Sequence, residues 1–240
     1  MRSNSSDCRR YAPVGTRRSR RQRGFSLLEL ALVMVILGVI YGAVTSGAEV
    51  LRAARGQGLL NDFVFAWTDA FHRHVHRTGV VPGDSIPSPQ HIIRSPSGGR
   101  LLCNMPGAPE LSNTFLGQSV TIPQGDAPGE EAMRVYQDSK GSPHVLKACM
   151  LTTSWSVPGL SVGSFQLVDR HVLLLRGLTT ELAAQFDSAI DGHADARFGR
   201  FRSVALAADT GPTGSDWPAG TTDAEGWAPE VQAYLDMSGS

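Results

Sequence analysis

The segment from Phe25 to Val44 constrains the fold of this chain more than any other. Twenty residues carry a single charge, Glu29. A helix rises about 1.5 Å per residue, so such a run crosses roughly the 30 Å hydrocarbon core of a bilayer. Its N-terminal flank is the opposite in character. Eight arginines and one aspartate precede Phe25, a net +7, which leaves 14 basic and 21 acidic residues in the rest, a net −7. A basic leader joined to an acidic body suits a cytoplasmic basic end and an exported body. The split argues against a nucleic-acid binder, because the basic cluster and the folded part are different segments. A DNA-binding basic arm is the other reading of the leader.

A secretory signal peptide has similar flanks. Its apolar core is usually shorter and ends at a small-residue cleavage site. Ala43 to Ala48, "AVTSGA", can be read as such a site. The length of the run and the carboxylate near its start speak against that. A charge in the membrane costs a few kcal/mol on insertion scales, so it points to function. Near one end of the span the cost falls, because headgroups and water are close.

The residues at the junction, Gly24-Phe25-Ser26-Leu27-Leu28-Glu29-Leu30, resemble the processing site of type IV pilin-like proteins, which include pilins, minor pilins and the pseudopilins of type II secretion. The resemblance implies cleavage after Gly24 by a membrane prepilin peptidase. The same enzyme would N-methylate the new terminal residue, Phe25. It also implies that Glu29, fifth in the mature chain, meets the Phe25 amine of a neighbouring subunit during assembly. A buried carboxylate is tolerated when paired, so neutralising it would set subunit register. Many family members carry a proline about two-thirds along this segment. Here that place reads Val44-Thr45-Ser46-Gly47, and Gly38, Gly42 and Gly47 are the residues that loosen the helix.

Beyond the anchor, Leu60, Phe63, Val64, Trp67, Phe71 and Val75 keep helical spacing. The spacing predicts one helix from about Ser26 to Thr78, stopped by Gly79 and the Pro82-Gly83-Asp84 turn. Residues 79–130 are rich in proline and turns. Extended runs at Ser119–Ile122, Met133–Tyr136, Val145–Thr152 and Phe165–Leu175 predict antiparallel strands on the helix. A second helix is expected at Thr179–Ile190 with Thr180 as cap, then a strand at about Phe201–Ala207. A last short helix is expected from Trp227 to Met237. The expected fold is α+β and pilin-like. Residues 1–24 form a cleaved leader, 25–45 the transmembrane and assembly half of the helix, and 46–240 a periplasmic head.

Cys103 and Cys149 are the two cysteines of the body. Outside the cytoplasm they can pair, and the chain-entropy gain would be at most roughly 4 kcal/mol. Otherwise they are two buried thiols.

Three patterns suggest other chemistry. Gly159-Leu160-Ser161-Val162-Gly163 fits the G-x-S-x-G nucleophile elbow, with Asp187 and His193 following in the order of a triad. That elbow needs a strand before it and a helix after it, whereas a strand is expected after Gly163. It therefore reads as a turn, and a membrane-anchored periplasmic hydrolase using Ser161 is the rival function. His72, His74 and His76 cluster, with His72 and His76 on one helical face, but no carboxylate or Cys stands at ligand spacing beside them. They read as solvated surface. Asp187, Asp191 and Asp195 recur every fourth residue; oxygen-rich loops can hold calcium, but helix end and turn is the simpler reading. No catalytic residue, metal or cofactor is assigned. The expected protein is a structural subunit, not an enzyme. Its expected partners are the prepilin peptidase/methyltransferase, other pilin or pseudopilin subunits and the bacterial inner membrane.

Overall fold

The computed structural model describes residues 26–218 and 230–238, without the side chains of residues 45, 46, 48 and 49. The leader, Gly24, Phe25 and residues 219–229 lie outside the described residues. The chain divides into two compact units, Met1–Ala48 and Glu49–Ser240.

In the first unit, helix α1 begins at Leu27 and continues to Leu59, so Gly38, Gly42 and Gly47 do not interrupt it. The stretch Leu27–Val44 is apolar on every side and none of it is buried. A helix that is apolar all round is stable only inside something else, a core or a bilayer.

In the second unit, a π-helical turn, Leu60–Phe65, joins α1 to α2, Ala66–Thr78. The helix predicted to reach Thr78 is therefore present, with one wider turn in it. It stops at Gly79, whose φ of 75° is left-handed and whose N–H donates to the Val75 carbonyl. Leu60, Phe63, Val64, Trp67 and Phe71 form its buried stripe. Trp67 is fully enclosed and meets the edge of Phe115 with ring centroids 5.7 Å apart.

The stripe packs on a seven-stranded antiparallel sheet. Its strands are β1 (Leu101–Met105), β2 (Ala108–Pro109), β3 (Met133–Gln137), β4 (Pro143–Pro158), β5 (Phe165–Thr179), β6 (Phe201–Ser203) and β7 (Glu230–Asp236). The order is β2-β1-β4-β5-β7-β6, with β3 also on β4. Strands β4 and β5 form a long hairpin in which alternate residues, among them Leu146, Ala148, Met150, Leu173 and Leu175, enter the core beneath the helix. A bulge in β5 lies at Gly177, where φ is 82° and a side chain would collide with the Val145 carbonyl. Its carbonyl accepts from the Tyr136 hydroxyl at 2.8 Å. On the other face, Cys103 and Cys149 stand directly opposite each other on β1 and β4 and are joined by a disulfide.

Four local expectations are corrected. Ser119–Ile122 is not a strand; it follows the short helix α3 (Glu110–Leu116) as turn and coil, with Ser119 itself at positive φ. The second helix, α4, runs Thr180–Asp191 and is capped by Thr179, whose hydroxyl oxygen accepts from Leu182 N, not by Thr180. The strand expected to reach Ala207 ends at Ser203, because Leu206 and Ala207 donate back to the Ser203 carbonyl in a turn. The expected final helix is the strand β7, paired with β5 and β6. Val231, Ala233 and Leu235 share one strand face, and a segment of seven residues is too short for periodicity alone to separate helix from strand. Trp227 to Pro229 of that expectation lie outside the described residues.

Candidate functional site

The site with the most distinctive chemistry is the start of α1. Ser26 precedes the first helical residue, and its hydroxyl accepts from Leu28 N at 3.3 Å. Its carbonyl accepts from Leu30 N at 3.1 Å. Ser26 is thus the N-cap, and Glu29 is the third helical residue. Ser-x-x-Glu is the spacing of a capping box, in which the acid is drawn toward free N–H groups and the positive end of the helix dipole. The sequence expectation gave Glu29 only an intersubunit role, with the Phe25 amine of a neighbour, and missed this local reason for its position.

Glu29 is exposed in the isolated chain and has no partner among the described residues. The helix beyond it presents large apolar side chains outward, including Leu37, Ile40 and Tyr41. A carboxylate at the start of an exposed apolar helix can accept a cation once the surroundings exclude water. Gly24 and Phe25, the predicted cleavage pair, lie outside the described residues.

The remaining candidates sit in the head. Ser161 lies in the turn between β4 and β5, so strands flank it on both sides. The turn is closed by Gly159 N on the Ser164 carbonyl, and Leu160 and Val162 beside Ser161 are fully exposed. Asp187, the would-be triad acid, is engaged elsewhere. It is 0% exposed, and its Oδ2 accepts from Trp217 Nε1 at 2.7 Å and from Asp195 N at 2.6 Å. Burial pushes its carboxyl up to about 6, against the pull of those two hydrogen bonds. Asp191 and Asp195 commit their oxygens to backbone N–H groups of Arg200, Phe201, Arg197, Phe198 and Ser215. The three aspartates therefore tie the loops after α4 together. This network was invisible in the sequence, since Trp217 lies 30 residues from Asp187.

The histidine cluster divides. His72 and His76 are exposed, whereas His74 is 3% exposed and packs against Phe115 with ring centroids 5.2 Å apart. The expectation of surface is thus corrected for His74, which belongs to the core stripe one turn beyond Ala70 and Phe71. Burial holds its imidazole below the usual range.

Residues 19–45 match a family model described as the prokaryotic N-terminal methylation motif. That match supports a type IV pilin-like prepilin. No curated protein and no solved structure matches the chain significantly.

Proposed function

We propose that this chain is a structural subunit, a minor pilin or pseudopilin, of a type IV pilus or type II secretion filament. The reading rests on one observation. The methylation motif coincides with the start of a helix whose apolar side chains are left exposed among the described residues. Prepilin peptidase would cut between Gly24 and Phe25 and methylate the Phe25 amine. The cut places a cation four residues from Glu29. In an apolar setting, a Phe25 ammonium from one subunit and the Glu29 carboxylate from the next neutralise each other, and the apolar faces of adjacent helices cover one another. The helix would hold the subunit in the inner membrane, with its head on the periplasmic side, until assembly. The disulfide fits an oxidising compartment for the head.

In this reading the chain is an assembly protein and acts chemically only as a substrate of the peptidase. The rival hydrolase reading loses support from the hairpin turn that carries Ser161 and from the prior engagement of Asp187. A serine-directed probe is expected to leave the chain unlabelled, and labelling abolished by Ser161→Ala would reverse the assignment.

Intact mass and N-terminal sequencing of membrane-extracted protein test the main reading. The expected chain begins at N-methyl-Phe25, and Gly24→Ala abolishes that species. A chain beginning at Met1, or within residues 43–48, would refute prepilin processing.

A further inference from the structure

A groove of about 930 Å³ opens in the head between three elements. One wall is the second-unit part of α1, with Arg52 and Arg55. A second is β3 and its turn into β4, with Ser139 and Lys140. The third is the first half of α4, reaching Gln185. Gln185 Nε2 donates to the Ala53 carbonyl at 3.1 Å, which fixes α4 beside the helix at this level. Arg52, Arg55 and Lys140 have no side-chain partner among the described residues. A fourth cation in the lining, Arg134, is bound to Asp126 at 2.7 Å. Carboxylates also line the groove. Asp138 is committed to the backbone N–H groups of Lys140 and Ser142 and to His144. Glu181 stands in the first turn of α4, and Asp62 lies about two helical turns beyond Arg55, on the side away from the apolar span. Along the helix wall, Arg52 and Arg55, without a side-chain partner among the described residues, therefore lie on the span side of Asp62.

Chain length fixes what can stand at that end. Arg52 is the eighth residue after Val44, where the apolar span ends. Eight helical residues rise about 12 Å, and even a fully extended chain reaches only about 28 Å. The polar layer of a bilayer extends roughly 5–8 Å beyond the hydrocarbon, and long basic side chains bend back toward it. The +7 leader still dominates orientation, so two arginines beyond the span do not reverse it.

We propose that this groove binds the phosphate headgroups of anionic lipids, docking the head on the outer surface of the membrane that holds its helix. Arg52, Arg55 and Lys140 supply the charge, and the groove admits a headgroup between the helix and the β3–β4 turn. Each cation removed lowers the docked-to-free ratio about fivefold. The inference rests on the membrane-anchored reading above. Docking would hold the subunit near the bilayer until lateral contacts with other subunits replace the lipid.

The test uses the full chain carrying Cys8→Ser and a Ser142→Cys fluorophore, in the β3–β4 turn but outside the groove lining, reconstituted in nanodiscs that contain a headgroup-nitroxide lipid. Failure of the chain to enter nanodiscs would overturn the anchor reading and this inference together. Once inserted, quenching is expected to be stronger with phosphatidylglycerol than with phosphatidylcholine alone. The Arg52→Gln/Arg55→Gln/Lys140→Gln variant is expected to quench equally in both. Quenching indifferent to phosphatidylglycerol, or unchanged in the triple variant, would overturn docking while leaving the anchor intact. If inorganic phosphate, at matched ionic strength, removes the phosphatidylglycerol dependence of quenching, the groove takes free phosphate in preference to lipid and the lipid assignment falls. Arg100→Gln/Lys147→Gln/Arg176→Gln, three cations outside the groove lining, is the charge-matched control and is expected to behave as the parent.

Discussion

The span and the head solve the hydrophobic problem in opposite ways. From Leu27 to Val44 the chain exposes nearly everything it has. In the head, Trp67, Phe115, Phe186 and Phe201 are all sealed by their own chain. The head carries its stability within itself, whereas the span leaves its apolar side chains exposed, and in the proposed function lipid or copies of itself would cover them. A substitution should therefore act on folding in one region and on insertion or assembly in the other.

The largest effect that could break this division is at Trp67. Trp67→Ala is expected to destabilise the head by about 3–5 kcal/mol, whereas Ile36→Ala, in the span, should leave the head's thermal unfolding within about 0.5 kcal/mol. Equal shifts in near-ultraviolet circular dichroism melts would show that head and span fold as one. Next is the disulfide: Cys103→Ser/Cys149→Ser should cost about 2–4 kcal/mol in chemical denaturation without altering membrane extraction.

Asp187 gives a third effect, with a distinctive dependence on pH. Its carboxyl ionises at about 6 in the fold, against 3.8 for the free group. The unfolded chain releases the proton first as pH rises. Stability therefore falls between about pH 4 and 6 and levels off above, by on the order of 3 kcal/mol at most. Asp187→Asn, which keeps an acceptor for Trp217, should flatten that slope and raise stability above pH 6. His74 works in the other sense. Its depressed basicity costs stability as pH drops below 6.5, so the difference between variant and parent isolates Asp187. A difference curve without slope would show that folding does not shift the ionisation of Asp187. A smaller effect, about 1 kcal/mol, is expected for Thr179→Ala, which removes the cap of α4.

The smallest expected effect on folding is the most telling about the span. If Glu29 serves only as the third residue of a helix cap, Glu29→Gln should cost the helix about 0.3–1 kcal/mol and leave filament incorporation intact. Loss of incorporation with unchanged head melting would assign its charge to the neighbour's Phe25.

What the sequence made legible follows the same division. The span, the long helix and the β4–β5 pair were readable because their signals are local: length, a 3.6-residue period and short apolar runs bounded by turn residues. The cap at Ser26 is also local, but the apolar run around Glu29 masks it. Asp187 was not readable. Its partner is a tryptophan in a segment that composition marks as loop, and only the closed fold brings the two together. β7 failed for another reason. Its identity as a strand is set by the edge that β5 offers it, which no window of seven residues records.

If the chain is, as proposed, a filament subunit drawn out of a membrane, the bond between Cys103 and Cys149 has a mechanical consequence. It short-circuits the stretch between two residues 46 apart in sequence. Under traction, that stretch cannot release the roughly 150–165 Å of contour length that the open chain would yield. A pulling force that frays β1 from β4 therefore gains almost no extension there, and its work must go into moving the head as a whole.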